Sequence, residues 1–214
     1  MMNIEVYNLE TLLDWPGVRR MIAVVQELEG SPESSGKANG TIRPPAVLPL
    51  VAILHQLEAL VDSLTDEQYV LKPVGVVPSS IGGHVRHSLD HINALLIGLR
   101  NGEVNYDQRQ RGTNVELCRR SALETMRRQE QLLLAFPWVP SDQWLRLSVL
   151  LTAAGPSVTV TTTLDRELAF VLSHTIHHNS LIGVMVKLLG VPVPEDFGYA
   201  PSTLAHKGGR PCVR

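Results

Sequence analysis

Cysteine is nearly absent from this 214-residue chain. Only Cys118 and Cys212 occur, far apart and without a C-x-x-C spacing. That excludes a disulfide framework and a thiolate zinc site. Long apolar runs are missing too: stretches such as "AVLPLVAIL", residues 46–54, fall far short of the roughly 20 residues needed to span a bilayer. Neither charge sign dominates, with 19 Lys and Arg against 21 Asp and Glu, a net charge of −2 and a pI near 6.4. With three Phe, four Tyr and three Trp for stacking, the chain offers no basic, aromatic face for nucleic acid. The opening "MMNIEVYNLETLLDW" carries Glu5, Glu10 and Asp14 where a signal peptide needs a basic start and an apolar centre. The expectation is a cytoplasmic protein of bacterial type that binds neither nucleic acid nor membrane.

What is present is ordinary globular material: 44% apolar and 19% charged residues, enough chain to bury a core. Residues 30–45, "GSPESSGKANGTIRPP", read as a linker. Before it, Leu9, Leu12, Leu13, Val18, Met21, Ile22 and Val25 suggest a short amphipathic helix over 8–29, so 1–45 is expected to be an N-terminal appendage. Four helical patterns follow, at about 46–64, from Ser79 or Ser80 to just before Gly102, at about 114–136, and from Thr163 to Leu189. Between the last two, "WLRLSVLLT" and "SVTVTTT" alternate around "AAGPS", a β-hairpin signal. The last 25 residues are rich in Pro and Gly and are expected to cross the helices as irregular chain, with 207–214 as a tail. The fold class is all-α: a four-helix bundle over 46–206 with a small inserted hairpin.

Six of the eight histidines fall in two short windows, "SSIGGHVRHSLDHINALL" (79–96) and "FVLSHTIHHNSLIG" (170–183). On the last helix, 164, 168, 171, 174, 178, 182, 185 and 189 form one stripe reading Leu, Leu, Val, His, His, Ile, Met, Leu. His174 and His178 therefore stand one turn apart at core positions, while His177 shares a more polar stripe with Ser173 and Ser180. Buried imidazoles need partners for both nitrogens. Core histidines satisfied by hydroxyls would meet that need, but an i,i+4 pair matched by a second cluster points to a metal ion. His84, His87 and His91 lie within about 60° of one another on their helix, flanking the stripe of Ile81, Val85, Ile92, Leu95 and Leu99. Spacing does not choose among them. The small residues Gly83, Ala94 and Gly98 on their side leave room for close approach or a cavity. Glu-x-x-His repeats of ferritin-like bundles are missing from both windows, as are H-E-x-x-H, G-x-S-x-G, the P-loop and G-x-G-x-x-G.

"SIGGHVRHSLDH", "NYDQRQRG", "RELAFVLSHTIHH" and "VPEDFGYAPSTL", in that order over about 46–206, resemble the DinB/YfiT-like superfamily of small metal-binding four-helix bundles. The resemblance implies one divalent ion (zinc, nickel or iron) held by one histidine of the second helix and a His-x-x-x-His pair on the last. Carried over, these are His87, His174 and His178; His91, one turn from His87, is the nearest substitute. Three imidazoles leave a coordination position open, as in catalytic centres. The family's breadth implies a metal-dependent hydrolase or thiol-dependent S-transferase acting on a small molecule, with a low-molecular-weight thiol as candidate partner; a homodimer is compatible with it. The competing expectation is a metal-braced binding or stress-response module without turnover.

The loop "NYDQRQRG" supplies candidate substrate-binding groups. Arg109 and Arg111 are suited to a carboxylate, and Tyr106 or Asp107 to handling a proton near the metal. Equally, they pin the loop by capping the third helix or pairing with Glu103 or Glu116. Glu195 and Asp196 either fold over the open end of the helices or form a turn.

Overall fold

The computed structural model describes residues 43–73, 77–108, 111–140 and 142–207. The expected helix at 8–29, nearly all of the linker, Arg109, Cys212 and all of the tail but Lys207 lie outside these residues.

The described chain is mostly helical. Helix α1 (Val47–Asp62) buries Leu50, Leu54, Leu57 and Val61 at spacings of three and four, the period that places side chains on one face. A short helix α2 (Asp66–Val70) follows, opened by a capping box in which Thr65 and Gln68 exchange hydrogen bonds. Helix α3 (Ile81–Asn101) starts where the Ser80 hydroxyl accepts from the Gly83 N–H and stops at Gly102, at φ 73°. Glycine carries no penalty in that left-handed conformation. Helix α6 (Leu164–Leu188) is capped by the Thr163 hydroxyl, has Asp165 and Glu167 in its first turn, and is followed by Gly190 at φ 73°.

The third helical pattern is interrupted. A four-residue turn, α4 (Asn114–Leu117), is separated from α5 (Arg119–Ala135) by Cys118 in extended conformation. The break turns α4 toward its neighbours: the buried Tyr69 donates to the Val115 carbonyl, and Glu116 accepts from Arg86 of α3. The expected hairpin is present as antiparallel β2 (Trp144–Leu150) and β3 (Ser157–Thr163). A third strand, β1 (Glu103–Asn105), pairs in parallel with β2 to give the order β1-β2-β3. Gly98 makes this possible, since a Cβ there would lie 2.6 Å from Val104 Cγ2. The small residues expected beside the histidines thus serve, at Gly98, the approach of a strand.

The C-terminal stretch is not wholly irregular. It forms α7 (Pro201–Lys207) after Phe197, which is buried against the position of Gly183 on α6. Of the long helices, α3 packs on α6 and α5, and α1 packs on α5 and α6. The faces of α3 and α6 that meet carry the two histidine windows.

Candidate metal centre

Helix periodicity creates the site. His87 and His91 are one turn apart on α3, His174 and His178 one turn apart on α6, and the two pairs face each other. Ring centroids are 4.4 Å apart for His87–His91, 5.0 Å for His87–His174, 4.5 Å for His87–His178, 4.1 Å for His91–His174 and 4.6 Å for His174–His178. The histidines named from sequence, His87, His174 and His178, are therefore neighbours. The tightest convergence of donor nitrogens involves a different third member: one ring nitrogen each of His87, His91 and His174 lie within 4.8 Å of one another.

Two nitrogen pairs are closer still. His174 Nε2 is 3.0 Å from His87 Nε2, and His178 Nδ1 is 3.0 Å from His84 Nδ1. Two nitrogens on one tetrahedral ion at about 2.0–2.1 Å lie roughly 3.3 Å apart, so the first pair needs only a slight opening to share an ion. The His91 Nδ1 sits 2.9 Å from the His87 carbonyl; donating there leaves its Nε2 lone pair to bind, an orientation common among ligating histidines. Burial, then the charges of His174, His84, His177 and His91, push the His178 imidazole down to about 3. His84 is lowered as well, by burial and then by His177. Neutral imidazoles are the form a cation requires. The donor set fits a divalent metal.

His177 is exposed, as its polar stripe predicts. Tyr106 lies beside the centre: its ring stacks on His91 at 5.1 Å and 11° and meets Phe170 at 5.1 Å. Its hydroxyl donates to Glu167 Oε2 at 2.7 Å. Glu167 is fully buried, and its other oxygen accepts from Thr162 at 2.7 Å and Arg166 at 2.9 Å. Burial, and then Glu167, hold the Tyr106 phenol far above its usual range, so it is a hydroxyl donor at any ordinary pH. Glu167 reads in the sequence only as a first-turn acid favoured by the helix dipole. Its burial, and its bond to a tyrosine 61 residues away, had no local signal.

The remaining loop groups stand apart. Asp107 accepts from the Leu150 N–H at 2.7 Å, which ties the loop to β2. Arg111 is exposed. Glu103 pairs with Arg146 and Glu116 with Arg86, and the Gly112 N–H at the end of the loop donates to Glu116 at 3.2 Å, so the loop is tied to Glu116 through its backbone. Glu195 and Asp196 are exposed in the turn before α7.

Residues 50–182 match the DinB superfamily, and the chain belongs to it. A curated relative, FK506-binding protein 5 of Rhizopus delemar, is 27% identical over 155 residues. That alignment takes in 72% of this chain and 36% of the relative, so the chain spans about a third of that protein's length. The relative is fungal, so the match lends nothing to a bacterial setting. No described helix is long and apolar enough to cross a membrane.

Proposed function

We propose that this chain is a four-helix-bundle metalloprotein that uses a single imidazole-bound divalent ion to act on a small molecule, by hydrolysis or thiol-dependent S-transfer. The observation that carries the reading is the meeting of two i,i+4 imidazole pairs from α3 and α6 next to a buried tyrosine–glutamate pair. A closed bracing site needs no buried polar pair of that kind beside it.

His87, His174 and His178 are the proposed ligands. A second assignment replaces His178 with His91 and is favoured by the closeness of the donor nitrogens. Zinc, nickel and ferrous iron all suit neutral nitrogen donors. An ion held there supplies Lewis acidity toward a small-molecule oxygen or sulfur. Tyr106, with its hydroxyl turned to Glu167 and its ring against His91, orients that imidazole and walls one side of the centre. Phe170 adds an apolar surface beside it.

Cobalt-substituted protein titrated with a small thiol tests the reading. A sulfur-to-metal charge-transfer band supports a thiol-handling enzyme. An unchanged spectrum across several thiols, with no hydrolysis of small ester or amide substrates, would leave the ion as a brace between helices.

A further inference from the structure

A second group of ligand-type side chains lies on the other pair of helices. His55 and Glu58 are one turn apart on α1, and Glu130 faces them from α5. One donor atom from each lies within 4.8 Å of the other two. His55 Nδ1 is 3.8 Å from Glu58 Oε2, and His55 Nε2 is 3.4 Å from Glu130 Oε2. Arg127 donates to Glu58 Oε1 at 2.5 Å, which leaves Oε2 turned toward the imidazole.

Buried polar atoms here lack partners. Glu130 is 6% exposed; its Oε1 and the His55 Nε2 are buried without a hydrogen bond. Leaving a carboxyl oxygen and an imidazole nitrogen without hydrogen bonds inside a protein is costly. Arg127 offsets one of the two carboxylates, and a neutral His55 offsets none. An ionised Glu130 would therefore be uncompensated, and burial disfavours that charge. Accordingly, burial and then the Glu58 charge push the Glu130 carboxyl up to about 8, against the pull of Arg127.

We propose that His55, Glu58 and Glu130 form a second divalent-cation site that ties α1 to α5. One imidazole with two carboxylates suits manganese, ferrous iron or zinc, and takes manganese more readily than an all-imidazole set does. Such an ion would engage Glu130 Oε1 and His55 Nε2, which make no hydrogen bond, and offset the charge of an ionised Glu130. This site shares no residue with the histidine centre and does not depend on it.

Manganese binding to the full chain, followed by loss of the free-ion electron paramagnetic resonance signal, tests this directly. His174→Ala, with the histidine centre disabled, should still bind one equivalent of manganese. Adding Glu130→Gln or, separately, His55→Gln should remove that equivalent while circular dichroism stays unchanged. Zinc should bind the unaltered chain with two equivalents and Glu130→Gln with one. If His174→Ala binds no manganese, or if both double variants keep it, there is no cation site, and a protonated Glu130 beside a neutral His55 fills the place. If the unaltered chain binds one ion that Glu130→Gln loses and His174→Ala keeps, this site stands and the histidine centre fails.

Discussion

At His174 the demands of packing and coordination meet on one side chain. It lies on the apolar stripe of α6, half-buried, with its Nε2 against His87. His174→Ala should abolish metal binding at the histidine centre yet leave α6 intact, because alanine is the best helix former and the stripe keeps its buried leucines, valine, isoleucine and methionine. Metal stoichiometry beside circular dichroism checks this; a metal-replete variant would remove His174 from the ligand set. His178→Ala and His91→Ala, compared the same way, decide the third ligand: the variant that loses the ion carried it. Tyr106→Phe takes a donor from buried Glu167 and should cost about 1.5–3 kcal/mol. Metal content should persist, since phenylalanine keeps the ring that stacks on His91. Thermal melts and metal analysis on this variant would show loss of the ion instead if the hydroxyl, and not the ring, holds that imidazole. The i,i+4 histidines of α6 were legible because helical period alone places them. The choice on α3 was not, because His84, His87 and His91 share one face, and which nitrogen points where depends on rings from another helix.

Among the elements, those with caps were readable. Ser80, Gly102, Thr163 and Gly190 mark ends that the structure keeps. The capping box of α2 stands in the sequence as "TDEQ", but the helix is five residues long and offers too little periodicity to register. Strand β1 is three residues with a single buried side chain, Val104, so its existence depends on β2 and on the missing side chain at Gly98. The break at Cys118 likewise depends on distant partners of Val115 and Glu116. Gly98→Ala puts a methyl 2.6 Å from Val104 Cγ2 and 2.8 Å from its Cα, and the backbone atom cannot rotate away. Overpacking of this kind costs about 1–3 kcal/mol, a fall of roughly 2–4 °C in Tm per kcal/mol for a chain of this size. A differential scanning measurement checks it; an unchanged Tm would mean that β1 does not bear on α3.

Across the whole molecule, the shifted groups set a pH profile for the metal-free protein. The His55, His84 and His178 imidazoles are lowered from 6.5, chiefly by burial. The unfolded chain therefore takes up protons that the folded one does not, and stability falls as pH drops below about 6.5. Glu130 has the opposite sign. Raised to about 8, it keeps a proton that the unfolded chain releases, and stability falls as pH rises from about 4.5 toward 8. Three imidazoles outweigh one carboxyl on the acid side; on the other the buried carboxyl is opposed only by the exposed Cys118 thiol, lowered by its hydrogen bond with Ser121, whose exposure keeps its contribution small. Thermal melts under chelator should therefore peak near pH 6.5. A steady rise through pH 8 would contradict the assignment to Glu130. Bound metal should move the acid limit, because ligand imidazoles must shed protons to bind, and metal content should fall together with stability as pH drops below about 6.5.

The most direct measurement is an anomalous difference map at the zinc or nickel absorption edge, from crystals of the metal-loaded chain. The account predicts a peak between α3 and α6, bonded to His87 and His174 at about 2.0–2.1 Å, with His178 or His91 as the third ligand. A map with no peak among these imidazoles, from protein shown to contain metal, would contradict it.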